Sequence, residues 1–319
     1  MTRPDDSILA PHQLVTVRRY ADRLLCDASA LGRFPTPIGD LVEQAKLTVV
    51  GDEVLNESFL RRFMAKARAS AGTIKSALSK VLGLFDVAER LVVLDLGVPP
   101  PRIPFLQLHE AGHGTLPHQS KVYRFIHDCE KTLDPDITEL FDREANVFAS
   151  EVLFQGDIFS KEAHDREFGI KVPMSLAKKF GASQYSTFRR YVGTSPHACC
   201  VVVLEPFDRD EEGGFSAAVR RIVSSETFHR IYDSESLFLV ISPSHALGPV
   251  IPAAGKRMTF HKEIVLIDRN RDERVCIGEA FDTKHHTLIL IRDIGPRTKS
   301  GIVMPFGIQV VTSGAIEVG

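Results

Sequence analysis

The spacing of apolar residues changes near residue 197, and this change limits the folds that are open to the chain. Before it, apolar residues recur at the period of a helix, for example over residues 12–30. From Cys199 onward, short apolar runs alternate with turn residues, a pattern typical of strands. The length of 319 residues is about twice that of one domain. We therefore predict an α+β protein with a mainly helical domain and a small β-sheet over residues 1–196, followed by a β-rich domain over residues 197–319.

Periodicity, capping residues and prolines together predict the individual elements. Helices are expected at residues 12–30, 37–46, 56–81, 104–116 and 135–154, with a pair of short helices within 173–192. Strands are expected at residues 47–50, 84–87, 90–96, 199–204, 237–241, 264–267, 274–277, 287–291 and 308–311. One further helix is expected inside the β-rich part, near residues 215–221. The role of that part is open: it could sense a ligand, hold a substrate or mediate dimerisation.

Charge and apolar content indicate a cytoplasmic protein without a membrane anchor. The net charge is −2, from 39 basic and 41 acidic residues, so the chain as a whole is not attracted to nucleic acid or membranes. The longest apolar run, Ala198–Leu204, is far shorter than the roughly 20 residues of a membrane span. The amino terminus lacks the apolar core of a secretory signal. The 5 cysteines are odd in number and form no Cys-x-x-Cys pair, which favours unlinked thiols in a reducing compartment.

The pentapeptide His109-Glu-Ala-Gly-His113 is the strongest indication of chemistry in the sequence. Residues four apart lie on one face of a helix, so both imidazoles can bind one metal ion. Zn²⁺ suits imidazole and carboxylate ligands, and a hydrolytic zinc site keeps one position for water. Glu110 follows the first histidine directly, which places its carboxylate beside that water as a candidate general base. The motif therefore predicts a zinc-dependent hydrolase.

A third ligand is required, and Glu144 is the candidate. It lies in the predicted helix 135–154, at the edge of an apolar stripe, from which its carboxylate can turn into a cleft between two helices. A solvated surface acid explains the position equally well. Asn146 has two interpretations of the same kind: it can brace a ligand, or it can be an exposed polar residue. The nearby His118 is interpreted as an ordinary surface or bracing histidine.

These residues resemble the ImmA/IrrE family of metallopeptidases. The likeness rests on the 109–113 motif together with Glu144-Ala-Asn-Val-Phe-Ala149, and it covers about residues 20–192. It implies that His109, His113 and Glu144 bind zinc and that Glu110 is the catalytic base. It further implies cleavage of a regulatory protein, often a transcriptional repressor. The chain departs from the family pattern in a longer loop between the two motifs and in residues 154–156, where a proline is usual.

A second hypothesis concerns the helix pair at about residues 171–192. Five basic residues and no acid lie between Gly169 and Leu204. Together with a helix-turn-helix-like pattern, they could contact DNA. The alternative function is therefore a DNA-binding or scaffolding regulator in which zinc is structural. We favour a structural helix pair with a solvated basic face, because the family often has this pair without DNA binding.

Overall fold

The computed structural model describes residues 9–50, 83–86, 91–94, 99–122, 135–210, 214–233 and 240–297. These residues form a mixed α+β fold, as the sequence predicts. The helices are α1 (Pro11–Asp27), α2 (Ile38–Gln44), α3 (Ile103–Thr115), α4 (Pro135–Leu153), α5 (Asp157–His164), α6 (Lys171–Phe180), α7 (Gln184–Gly193) and α8 (Glu226–Ile231). The strands are β1 (Thr48–Val50), β2 (Gly83–Asp86), β3 (Leu91–Leu94), β4 (Cys199–Leu204), β5 (Ala217–Ser224), β6 (Val240–Ile241), β7 (Met258–Ile267), β8 (Glu273–Asp282) and β9 (Thr287–Pro296).

The strands form two sheets within the described residues. The small sheet has the order β1-β3-β2, in which β1 runs parallel to β3 and β2 runs antiparallel to it. β2 and β3 overlap the predicted strands 84–87 and 90–96. The larger sheet has the order β6-β5-β4-β9-β8-β7, and its neighbouring strands are antiparallel. The predicted helix at 56–81 and the predicted strand at 308–311 lie outside the described residues. None of the described helices is long and apolar enough to cross a bilayer.

The larger sheet separates two hydrophobic clusters. Along β4, Cys199, Val201 and Val203 belong to the cluster that also contains the buried side chains of α1, α4 and α7. The alternate residues Cys200, Val202 and Leu204 belong to a second cluster on the opposite face. This alternation is the period of two that a strand imposes. The first cluster therefore contains residues from both sides of position 197, and the predicted domain boundary there stays a prediction.

The predicted helix near residues 215–221 is wrong. That segment is strand β5, in which Val223 pairs with Val201 and Ile222 with Val202 of β4. β-Branched residues fit a pleated surface, and β5 covers one edge of the fully buried β4. The helix begins only at Glu226, where Ser225 accepts a hydrogen bond from the Phe228 amide at 3.2 Å. The sequence analysis thus placed this helix about ten residues too early.

Candidate metal centre

Helices α3 and α4 pack closely, and this contact positions the histidines of the pentapeptide. α3 begins with Pro104 in its first turn, which suits the start of a helix. Gly112 faces α4: a Cβ atom at this position would lie 3.2 Å from Ala145 Cα and 3.2 Å from Phe148 Cδ1. A Cβ atom here would push α3 and α4 apart by a few tenths of an ångström, so glycine permits the close approach of the two backbones. The glycine that weakens α3 as a helix therefore brings its histidines against α4.

The two imidazoles of the motif face each other. The Nε2 atoms of His109 and His113 are 3.2 Å apart, and the two ring planes make an angle of 86°. Each Nδ1 atom has its own partner: His109 Nδ1 is 3.1 Å from Asn146 Oδ1, and His113 Nδ1 is 2.7 Å from Gln119 Oε1. Of the two interpretations of Asn146, the structure supports the one in which it braces a histidine. Both rings thus turn the same atom, Nε2, toward one point.

The tautomer of His113 follows from the contacts of Gln119. The Gln119 Nε2 atom donates to the Phe141 carbonyl at 3.2 Å and to Glu144 Oε2 at 2.7 Å. Both partners are acceptors, so the amide nitrogen must lie on that side, and the Oε1 atom must face the imidazole. It can only accept there, so His113 Nδ1 carries the proton. The Nε2 atom of His113 then has a lone pair available for a metal ion.

Burial keeps both histidines uncharged. It lowers the pKa of His109 to about 4, although the hydrogen bond with Asn146 acts in the opposite direction. Burial and the neighbouring His109 lower the pKa of His113 to about 3. At neutral pH each Nε2 atom therefore offers a lone pair to the other, an unfavourable pairing that a cation between them relieves. This donor set fits a divalent metal ion that prefers imidazole ligands.

Asp142 provides a third donor, which the sequence analysis did not identify. Its Oδ1 atom is 3.8 Å from His113 Nε2. Ligand atoms of His109, His113 and Asp142 all lie within 4.8 Å of one another. Asp142 and Asn146 are four residues apart and so share the face of α4 that meets the histidines. The four-residue spacing between Asp142 and Asn146 is the feature of the sequence from which Asp142 could have been predicted.

Glu144 lies on another side of α4. Its carboxylate is 5% exposed, and its Oε2 atom is 2.6 Å from His118 Nε2 and 2.7 Å from Gln119 Nε2. Burial raises the pKa of this carboxyl, but the hydrogen bonds from His118 and Gln119 outweigh burial, and the net shift is downward. Glu144 is therefore an anion that holds the amide behind His113. Its assignment as a zinc ligand stays a prediction, and the distances favour Asp142.

Glu110 is buried at the same site, with 6% of its surface exposed. Burial, and to a smaller extent the charge of Asp142, raises the pKa of its carboxyl to about 8. A carboxyl with a raised pKa is a stronger base than an exposed glutamate. The structure therefore brings together three of the four predicted site residues, His109, Glu110 and His113, and adds Asp142 to them.

The basic residues of the helix pair α6–α7 make contacts within the protein. Arg190 of α7 is 9% exposed in its side chain and forms an ion pair with Glu151 of α4 at 2.8 Å. Lys179 of α6 lies 2.5 Å from Glu162 of α5. Lys178 is exposed to solvent. Two of the five basic residues are thus committed to intramolecular ion pairs, and DNA contact by this pair stays a prediction.

Comparison with solved structures finds distant similarity of fold. A solved chain described as "Mycobacterium tuberculosis transcriptional regulator" is similar to this chain, with 15% identity and a TM-score of 0.49. The match covers 89% of this chain and 82% of that chain. No family model matches the sequence, and no curated protein matches it. The identity and the TM-score are too low for this similarity to bear on function.

Proposed function

We propose that the protein is a zinc-dependent endopeptidase of ImmA/IrrE type that hydrolyses a peptide bond in a regulatory protein, such as a transcriptional repressor. The observation that carries the proposal is the pair of uncharged imidazoles whose Nε2 atoms lie 3.2 Å apart beside a buried glutamate. Two converging lone pairs favour a cation, and a buried carboxyl on the same helix favours hydrolysis over a purely structural site. Zinc is the metal that this donor set suits best.

His109 and His113 would hold the zinc, with a carboxylate of α4 as the third ligand. Of the two candidate ligands, Asp142 and Glu144, it is Asp142 that groups with the two imidazoles. Asn146 and Gln119 fix the orientation of the rings through their Nδ1 atoms. When bound, zinc would polarise a substrate carbonyl and lower the pKa of water. The side chain of Asp142 is 55% exposed, so this side of the site is open to a peptide.

Glu110 carries the proton in this mechanism. Its carboxylate accepts a proton from the attacking water and delivers it to the nitrogen of the leaving amine. A pKa near the operating pH suits both steps, because the group must bind the proton and then release it. Burial raises the pKa of Glu110 from its ordinary value toward this range. The amide nitrogen leaves as an amine only once it is protonated, so the reaction depends on this one carboxyl.

Substitution Glu110→Gln tests the proposal. We expect peptide cleavage to fall by about 10²–10⁴-fold, the usual contribution of general acid–base catalysis, with zinc content unchanged. The zinc-loaded protein is incubated with a proteome-derived peptide library, and new termini are counted by mass spectrometry. Glu139→Gln is the matched control, because Glu139 is an exposed carboxylate of α4. Absence of new termini with the wild-type protein contradicts the proposal, as does undiminished cleavage by the Glu110 variant.

The proposed compartment is the cytoplasm. Four cysteines of the described residues are free thiols, namely Cys26, Cys199, Cys200 and Cys276. Three of them are buried at 0% exposure. Unlinked cysteines at these positions are typical of proteins that stay in a reducing environment, where the proposed substrate, a transcriptional regulator, also occurs.

A further inference from the structure

A second cleft lies at one end of the larger sheet and shares no residue with the metal centre. Its volume is about 540 Å³, within the range of small-molecule sites. Three segments line it: residues 206–209 after β4, residues 251–256 before β7, and residues 282–287 between β8 and β9. The sequence leaves the role of this β-rich part of the chain open. The residues that line the cleft give the first indication of that role.

Cationic and imidazole side chains from all three segments line the cleft. Arg209 comes from the first, Lys256 from the second, and Lys284, His285 and His286 from the third. Two acids, Asp208 and Asp282, also line it. The Asp282 carboxylate accepts a hydrogen bond from the Lys284 amide at 2.7 Å, so part of its charge is used within its own turn. The lining therefore carries three cations against two carboxylates, and this excess of positive charge favours an anionic ligand.

The surroundings hold the Arg209 side chain and the backbone of the Lys284 turn in place. The guanidinium of Arg209 donates to the Pro252 carbonyl at 2.7 Å and lies 4.8 Å from the centroid of the Phe215 ring. Lys284 has a φ of 74°, a left-handed conformation that is costly for a residue with a side chain. The Thr283 hydroxyl stabilises this turn by accepting from the His286 amide at 3.0 Å. The Arg209 guanidinium and the backbone of this turn therefore need little ordering when a ligand binds.

Part of the cleft wall is apolar. Phe207, Pro252 and Ala253 supply apolar surface beside the cations. His286 receives a hydrogen bond on Nε2 from Arg220 at 2.8 Å, so its proton is on Nδ1. That Nδ1 atom is buried and lies 3.8 Å from the Glu205 carboxylate, so it is not offered to a ligand in the cleft. The cleft thus offers cations on one side and an apolar surface on the other.

We propose that this cleft binds an organic phosphate, a small molecule in which phosphate is joined to an apolar group. The charged groups of Arg209, Lys256 and Lys284 bind the phosphate. Phe207 and Pro252 contact the apolar group. The cleft is about the size of a nucleotide-like ligand rather than of a single inorganic ion. The proposal is independent of the peptidase assignment, because the two sites have no residue in common.

Isothermal titration calorimetry of the full chain with ADP tests this inference, with pyrophosphate in a parallel titration. We expect ADP to bind in about 150 mM salt. Lys256→Gln and Lys284→Gln should each weaken the affinity about tenfold, the loss expected for one charged hydrogen bond. Both lysines are exposed, so neither substitution disturbs the core. Lys262→Gln, an exposed lysine of β7 outside the cleft, is the matched control and should bind ADP like the wild type.

The parallel titration separates the two sides of the cleft. Tighter binding of ADP than of pyrophosphate assigns part of the affinity to the apolar wall, as proposed. Equal binding of the two would overturn the role given to Phe207 and Pro252. The whole inference fails if neither probe binds at millimolar concentration, or if the Lys262 control weakens binding as much as the cleft variants do.

Discussion

Gln119 connects the residues of the candidate metal centre although it belongs to no motif. It is fully buried and makes three hydrogen bonds, with His113 Nδ1, the Phe141 carbonyl and Glu144 Oε2. Its amide therefore joins the residues after α3 to α4 and fixes the tautomer of one ligand. Nothing in the sequence distinguishes Gln119, because its importance depends on which side chains of α4 lie opposite it.

Asp142 and Glu144 have different roles because their side chains point to different sides of α4. Two residues of an α-helix are about 200° apart around its axis, so both carboxylates cannot point the same way. The local motif predicts that His109 and His113 converge, because their spacing lies within one helix. The third ligand depends on how α4 is rotated against α3. That rotation is set by the contact of Gly112 with Ala145, which the spacing does not reveal.

Zinc affinity distinguishes these two carboxylates. We expect Asp142→Asn to weaken zinc binding more than about 100-fold, because it removes a ligand. Glu144→Gln should weaken it by about tenfold, the lower end for a group that orients a ligand. Affinity is measured by competition with a chromophoric chelator, and Glu139→Gln serves as the exposed control. The opposite order of effects would assign Glu144 as the ligand, as the sequence resemblance implies.

At the scale of elements, α1, α4 and α7 are joined through one buried carboxylate. Glu151 of α4 accepts from Arg190 of α7 at 2.8 and 3.0 Å and from Arg18 of α1 at 3.2 Å. The sequence analysis treated Arg190 as part of a solvated or DNA-facing surface. That interpretation considered α7 alone, whereas the position of Arg190 depends on α4. DNA contact is therefore better tested by charge reversal at the exposed Lys178 than at Arg190.

Removal of this ion pair should be costly. We expect Arg190→Ala to lower the free energy of unfolding by at most about 3–5 kcal/mol, because it leaves the buried Glu151 carboxylate with only the half-exposed Arg18 as a partner. Arg230→Ala, which breaks the exposed pair with Glu226 in α8, should cost less than about 1 kcal/mol. Urea denaturation followed by circular dichroism measures both. Equal effects of the two substitutions would mean that the Glu151 pair is not a buried one in solution.

The pH dependence of this difference has a definite sign. Burial raises the pKa of Glu151, but Arg190 and Arg18 outweigh burial and the net shift is downward from 4.5. A carboxyl whose pKa is lowered by folding contributes stability above its unfolded pKa and loses it as the pH falls through the folded value. The gap between wild type and Arg190→Ala should therefore be full at pH 7 and narrow below about pH 4.

At the scale of the whole molecule, the sequence predicts the fold class and the long helices better than it predicts the limits of strands and domains. Long amphipathic helices such as α1 and α4 are predicted closely, because their apolar period is local. The segment that forms β5 is not, since Ala217-Ala-Val-Arg-Arg-Ile-Val can satisfy either period and pairing with β4 decides between them. The same holds for the predicted boundary at residue 197. It marks a change of pattern, while hydrophobic contacts continue across it.

Because β4 has its two faces in different hydrophobic clusters, neither cluster can lose its order without exposing part of the other. Heating should therefore give one heat-capacity peak, with a calorimetric enthalpy equal to the van 't Hoff enthalpy. Differential scanning calorimetry measures both. Two resolved peaks would show that the helical part melts independently of the strands. A single peak would mean that cavities introduced at Val201 or at Val202, which face opposite clusters, lower the same melting temperature.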